Sequence, residues 1–124
     1  MLDVNEVVEE MRFRVTERTK SPHGGTDEAE AFHIVRRPTH REIAQYRKKA
    51  ASLKGTKIKE TVWKAQRWLW GQIILKVEGY KGIPEKDWKK WFLTNDLGMS
   101  HVERVINGVV EQVTEDTDWV DEEK

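Results

Sequence analysis

The chain has 124 residues, enough for one domain of ordinary size and too few for two independent cores joined by a linker. Charged residues make up 35% and hydrophobic residues 37% of it, which predicts a compact core and a heavily solvated surface. The absence of cysteine excludes a disulfide framework and thiolate metal sites and is compatible with the cytoplasm. Apolar runs such as Ile73-Ile74-Leu75 fall far short of a membrane span, and the start of the sequence has no signal-peptide pattern.

The formal net charge is zero, but the charges are unevenly distributed along the chain. Residues 36–64 hold 10 basic and 2 acidic side chains, whereas residues 1–35 and residues 100–124 hold 8 acidic side chains each. A basic middle between acidic ends can attract nucleic acid or an acidic partner, although the ends could also fold back and screen it. An ordinary solvated surface is the commoner interpretation of such charge runs.

The N-terminal third predicts a short two-stranded antiparallel ribbon. Met11–Thr16 alternates apolar and basic or polar residues, and Ala31–Val35 is short and rich in residues that favour strands. The connection Thr19–Glu28 contains a proline and two adjacent glycines, which predicts a mobile loop. An alternative for the residues before the ribbon is a helix over Asn5–Met11.

A capping-box pattern, Thr39-His40-Arg41-Glu42, predicts the start of the first helix, because the threonine oxygen and the glutamate carboxylate can satisfy exposed backbone amides. The helix is expected from about Thr39 to Leu53, ending near Gly55. Its basic residues must mostly face water. The apolar stripe consists of Ile43, Tyr46, Ala50 and Leu53.

The second helix is predicted from about Ile58 to Val77, with a wide apolar face that suits the centre of a bundle. Trp63 and Trp70 are expected in the core of the protein. A short third helix is predicted from Pro84 to about Leu93, because proline favours the first helical position.

A second capping-box pattern begins at Ser100, after a predicted loop at Asn95–Met99, and opens a helix that runs to about Val113. Its apolar stripe consists of Val102, Val105, Ile106, Val109, Val110 and Val113. The residues that follow are too polar to bury a face alone and are predicted to be disordered or docked on a partner.

These elements predict a mainly α fold, a small bundle of about four helices with a short N-terminal β-ribbon. The expected organisation is an N-terminal segment with a strand and a flexible loop over residues 1–31, a helical core domain over residues 32–113, and an acidic tail over residues 114–124.

No constellation of residues that could carry catalysis is apparent. Gly55-Thr56-Lys57 lacks the earlier glycine of a phosphate-binding loop. The four histidines are scattered and are interpreted as surface or capping residues. The acidic tail lacks the turn glycine and the closing glutamate of a calcium loop. The sequence therefore predicts a protein that is not an enzyme, with no cofactor and no metal site.

Six tryptophans are unusual in a chain of this length. Core packing is their ordinary role, but a half-exposed tryptophan can anchor a protein interface or stack on nucleic-acid bases. The residues predicted to contact a partner are Trp68, Trp88, Trp91, Arg36, Arg37, Arg41, Arg47, Lys48 and Lys49. A protein is the favoured partner, nucleic acid is less favoured, and no membrane association is expected.

Leu97-Gly98-Met99-Ser100 is similar to the turn of a helix-turn-helix DNA-binding unit, which makes a DNA-binding regulator the alternative function. Arg104 stands where that motif usually buries an aliphatic residue. The would-be recognition helix also carries Glu103 and Glu111, and acidic side chains disfavour contact with DNA.

Two stretches carry a family resemblance. One is Phe32-His33-Ile34-Val35-Arg36-Arg37-Pro38-Thr39, followed by Glu42 and Tyr46, and the other leads from Leu69–Val77 into Glu78-Gly79-Tyr80. From about Phe32 to Val110 the order of features resembles the tail assembly chaperones of long-tailed bacteriophages and related prophages. The resemblance implies a protein without catalytic residues that binds the tape-measure protein, keeps its apolar helical stretches soluble and recruits tail-tube subunits in the bacterial cytoplasm.

Overall fold

A computed structural model describes residues 10–51 and 58–122, with side chains over residues 10–51 and 61–114. The described elements, in chain order, are β1 Glu10–Lys20, β2 Thr26–Arg36, α1 His40–Ala50, α2 Ile58–Ile73, β3 Ile74–Glu78, α3 Trp88–Thr94 and α4 Asp96–Glu122. Within these ranges, none of the helices has a stretch long and apolar enough to cross a membrane.

The predicted mainly α class is wrong, because the described residues form an α+β fold with four helices and a three-stranded antiparallel sheet in the order β1-β2-β3. The predicted ribbon is a hairpin of two 11-residue strands, so half of the expected mobile loop is strand. The alternative helix over Asn5–Met11 lies partly outside the described residues, and its last two residues belong to β1.

Alternation along the strands gives the sheet one face towards the helices. Met11 and Val15 of β1 stand opposite Val35 and Ala31 of β2, and all four side chains are buried in the core. His33 lies between the two β2 residues and is also buried. Successive side chains in a strand point to opposite faces, so the intervening residues line the outer face of the sheet.

That outer face carries charged side chains around Phe32. The guanidinium of Arg12 lies 4.0 Å from the centre of the Phe32 ring, and the same arginine forms an ion pair with Glu78 at 3.2 Å. Arg14 pairs with Glu30 across the hairpin at 3.5 Å. These exposed pairs contribute little individually but complete the polar side of the sheet.

The capping box predicted for α1 is present, since Glu42 N donates to Thr39 Oγ1 and Thr39 N donates to Glu42 Oε1. Ile43 and Tyr46 are buried and Ala50 is half-buried, as their spacing predicts, whereas Leu53 and Gly55 lie outside the described residues.

The second predicted helix contains both α2 and a strand. α2 ends at Ile73, and residues 74–78 leave the helix to pair with β2 as β3. The β-branched residues there suit a strand, and the unpaired edge of β2 supplies backbone partners that a helix would not use.

The last two helices also differ from the predicted bounds. α3 begins at Trp88 rather than at Pro84. α4 begins at Asp96, where the Asn95 side-chain oxygen accepts hydrogen bonds from Leu97 N and Gly98 N, so the predicted capping box at Ser100 is wrong. Residues 114–122, expected to be disordered or docked on a partner, continue α4.

Most of the predicted α4 stripe packs into the core. Val102, Val105, Ile106, Val109 and Val113 are buried, and Val110 is half-buried against the same core. The helix approaches β1 closely at Gly108, where an added Cβ would lie 3.0 Å from the Phe13 ring. α4 therefore closes the core over the hairpin.

Candidate functional site

The exposed side of α2, formed by Trp63, Lys64, Arg67 and Trp68, is the α2 face. Successive turns of a helix bring residues i, i+4 and i+5 to one side, which places these four side chains together. The opposite side of α2 is buried through Leu69 and Ile73. Trp63 is 44% exposed. Leaving so much of a large aromatic side chain in water gives up free energy that its burial would gain.

A groove of about 690 Å³ runs between α1 and α2, and we call it the lysine groove. Its lining residues are Gln45, Lys48, Lys49, Thr61, Lys64, Ala65 and Trp68. Lys49 Nζ lies 5.1 Å from the centre of the Trp68 ring, close enough for a cation–π interaction. The groove thus combines an aromatic wall with a cationic rim.

A second groove, of about 550 Å³, runs between α2 and the start of α4 and is called the mixed groove. Its lining residues are Trp63, Lys64, Arg67, Asp96, Met99, Ser100 and Glu103. Arg67 lies across it, since Nε donates to the Trp63 carbonyl at 3.3 Å and Nη1 lies 3.7 Å from the Met99 sulfur. Lys64 lines both grooves, so the two are adjacent surfaces.

Of the three tryptophans predicted to contact a partner, Trp68 lies in the lysine groove. All three are half-buried, and Trp88 and Trp91 of α3 have their ring centres 6.2 Å and 5.0 Å from that of Phe92. Trp88 also packs edge-on against Trp70. The structure therefore does not bring the three predicted tryptophans together.

The predicted basic residues are divided as well. Lys48 and Lys49 line the lysine groove, Arg41 is exposed and Arg37 is half-buried. Arg47 reaches α4, where it donates to Thr114 Oγ1 at 3.2 Å.

Arg36 has an internal role that its sequence position does not reveal. It donates two hydrogen bonds of 2.7 Å to the Glu42 carboxylate and a third, of 3.0 Å, to the Gln72 carbonyl. It thereby joins the end of β2 to the start of α1 and the last turn of α2. The Arg36 hydrogen bonds hold the pKa of Glu42 at about 2, well below its usual range.

Trp63 was expected in the core, and this prediction is wrong. It stands two turns before Trp70, on nearly the same side of α2, and Trp70 is fully buried. α3 covers Trp70, whereas Trp63 borders the mixed groove. Helical spacing predicts on which side of a helix a residue lies. It does not predict how far along that side a neighbouring element extends.

A chain of hydrogen bonds through the core links Trp70, His33, Tyr80, His101 and Glu17, and we call it the histidine network. Trp70 Nε1 donates to His33 Nδ1 at 3.1 Å, and His33 Nε2 and His101 Nδ1 each lie 2.7 Å from the Tyr80 hydroxyl oxygen. His101 Nε2 lies 2.8 Å from Glu17 Oε1.

If both histidines are neutral and Glu17 is ionised, one assignment of protons satisfies these bonds. Because an indole N–H is only a donor, His33 Nδ1 accepts and its Nε2–H donates to Tyr80. The Tyr80 hydroxyl then donates to His101 Nδ1, and His101 Nε2–H donates to the Glu17 carboxylate. All the bonds run in one direction, from buried Trp70 to the partly exposed Glu17.

Burial and neighbouring charges shift the pKa values of three side chains in this network. Burial, with a smaller contribution from His101, lowers the pKa of His33 to about 4. The hydrogen bond from His101, aided by the nearby Arg104, lowers the pKa of Glu17. Burial and the Glu17 charge raise the pKa of Tyr80. His33 is therefore neutral at pH 7 and donates from Nε2.

The interpretation of the histidines as surface or capping residues is wrong for His33 and His101, which are 0% and 3% exposed. All four of their ring nitrogens have a partner within the protein, so neither ring is presented to a substrate. Over the ranges that the structure describes, no group of three or more histidine, cysteine, aspartate or glutamate residues is arranged to hold a metal ion.

The segment similar to a helix-turn-helix does not have that geometry. Leu97-Gly98-Met99-Ser100 forms the first turn of α4 instead of a connection, and only Asn95 separates α3 from α4. An added Cβ on Gly98 would lie 2.8 Å from Phe92 Cα, so this glycine allows α3 and α4 to pack closely. Arg104 is bound to Glu17 and to the Thr16 carbonyl.

Comparisons of the chain with protein-family models, with curated proteins and with solved structures gave no match.

Proposed function

We propose that the protein is a non-enzymatic tail assembly chaperone of a long-tailed bacteriophage or prophage, acting in the cytoplasm of the bacterial host. It binds a helical stretch of the tape-measure protein on the α2 face and recruits tail-tube subunits. The observation that carries the proposal is the exposure of Trp63 beside the mixed groove, a surface that suits an amphipathic helix.

The chemistry of the α2 face supports binding of a protein helix. Tryptophan and arginine are the residues that most often dominate interface energies, and Trp63, Arg67 and Trp68 stand together there. In helix-in-groove recognition an amphipathic helix lays its apolar anchors against apolar walls; Trp68 and Ala65 supply such a wall in the lysine groove, and Trp63 and Met99 do so in the mixed groove. Methionine adapts to varied apolar partners, and Met99 lines the mixed groove.

A non-enzymatic role is supported by the histidine network. It is the described cluster that most resembles catalytic machinery, but its ring nitrogens are occupied by protein partners and its histidines are buried. A general acid or base must reach the substrate directly or through one water molecule.

The test is a pull-down of tagged protein from lysate of the native host, with and without nuclease, followed by mass spectrometry. We expect recovery of a long helical tail protein whether or not nuclease is added. Trp63→Ser should abolish this recovery by removing the exposed aromatic anchor. Leu75→Ser is the matched control, because Leu75 on β3 is equally exposed, at 44%.

Two results would contradict the proposal. Loss of the partner on nuclease treatment would indicate that nucleic acid bridges the interaction. Undiminished recovery by Trp63→Ser, with the variant folded by circular dichroism, would show that the α2 face is not the binding site.

A further inference from the structure

The described residues that line the lysine groove include three cations and no carboxylate. Lys48 and Lys49 contribute from α1 and Lys64 from α2, and the remaining lining residues are polar but uncharged or apolar. The mixed groove differs, because Asp96 and Glu103 there accompany Lys64 and Arg67. The two sides of the α2 face therefore present different charge to a bound helix.

Three other basic side chains around this region are engaged within the protein. Arg36 is bound to Glu42, Arg47 donates to Thr114, and Arg67 spans the mixed groove. Lys48 and Lys64 have no ion pair within the described part of the chain, and Lys49 contacts the Trp68 ring. The described residues thus leave these three lysines of the groove without a carboxylate partner.

Placement at a helix end explains part of this pattern. Lys48 and Lys49 lie in the last turn of α1, where cations interact favourably with the helix dipole. That effect does not account for Lys64, which lies inside α2 and faces the same groove. The three like charges around the Trp68 ring repel one another, and a bound anionic group would offset this repulsion.

We infer that the lysine groove binds an acidic amphipathic helix of the protein partner, with apolar side chains against Trp68 and Ala65 and carboxylates beside Lys48, Lys49 and Lys64. This inference rests on the proposed function and specifies the chemistry of its partner. Carboxylates on one side of the apolar stripe fix the orientation of the bound helix, because the mixed groove offers no matching excess of cations.

The test uses two labelled synthetic helices of about 18 residues, or five turns, with the same leucine stripe. One carries glutamates beside the stripe and the other carries lysines. Binding to the full chain is measured by fluorescence anisotropy. We expect the glutamate peptide to bind with an affinity that falls as salt is added, and the lysine peptide to bind roughly tenfold more weakly or worse.

Charge reversal gives the sharper comparison. The double variant Lys48→Glu and Lys49→Glu should lose the glutamate peptide and gain the lysine peptide. The double variant Lys81→Glu and Lys86→Glu is the control, since it changes the net charge equally at exposed positions outside both grooves. Gain of the lysine peptide would also show that the reversed protein is folded.

Equal affinity for both peptides, or no binding of either, would overturn the inference. The proposed function would still stand if the native tail protein were recovered in a Trp63-dependent manner. Self-association of the chain that disappears in the Lys48→Glu and Lys49→Glu variant would also overturn it, because the occupant would then be a second copy.

Discussion

His33 is a titratable side chain that folding places in the core, between Trp70 and Tyr80. Both ring nitrogens are bonded, so burial costs the neutral ring little, whereas the residues that the structure describes place no buried anion beside the charged ring. Protonation also places a donor on Nδ1, which would face the donor of Trp70. The same contacts that satisfy the neutral ring therefore oppose its charge.

Acidification should destabilise the protein through His33. Its pKa is about 4 in the folded chain and 6.5 in the unfolded chain, so the unfolded state binds more protons between these values. The contribution of His33 to the free energy of unfolding is fully present above pH 6.5 and is lost as the pH falls towards 4. We expect the free energy of unfolding to decrease by about 2 kcal/mol from pH 7 to pH 5.

Urea unfolding at a series of pH values measures this dependence. His33→Asn provides the comparison, because it keeps polar atoms in the core and removes the titration. If the free energy of unfolding falls equally in both proteins between pH 7 and pH 5, His33 is not the source of the decrease. Glu17 and Glu42, whose pKa values are lowered, contribute mainly below about pH 4.5, their ordinary value.

At the scale of elements, Gly108 sets how closely α4 approaches the hairpin. An added Cβ would lie 3.0 Å and 3.1 Å from two atoms of the Phe13 ring, closer than ordinary van der Waals contact. Gly71 in α2 has nothing within 4 Å of the same position. Gly108 and Gly71 therefore form a matched pair of helical glycines, one required by packing and one not.

Gly108→Ala should lower the free energy of unfolding by about 1–3 kcal/mol through overpacking. Gly71→Ala should raise it by about 0.5 kcal/mol, because alanine favours the helix over glycine. Chemical denaturation measures both changes. The double variant Gly108→Ala and Phe13→Leu should recover part of the loss. Stabilisation by Gly108→Ala would mean that α4 does not pack on the hairpin as described.

At the scale of the whole molecule, the placement of α4 argues against its use as a DNA-reading helix. Its apolar side is buried in the core, Arg104 is bound to Glu17, and Glu103 borders the mixed groove. A recognition helix needs a free, basic side that can enter the major groove.

We therefore expect no saturable binding to duplex DNA at about 0.15 M salt, measured by mobility shift with the full chain. The Arg104→Ala variant should behave like the unchanged protein. Saturable binding that weakens steeply with salt and is lost in Arg104→Ala would restore the DNA-binding alternative.

The sequence by itself determined the features that depend on neighbouring residues. The capping box at Thr39 and Glu42 places the start of α1, alternation identifies the hairpin, and 3.6-residue spacing identifies most of the buried side of α4. The lysines of α1 were recognised as candidate contacts because solvated cations cluster there. Each of these signals lies within a few residues of what it predicts.

Only the tertiary structure decided what depends on contacts between distant segments. Residues 74–78 form a strand because the edge of β2 is available, and Trp63 is exposed where Trp70 is covered. The histidine network joins Glu17, His33 and His101, which are far apart in sequence. Local periodicity fixes which side of an element is apolar, but the packing of other elements fixes what covers that side.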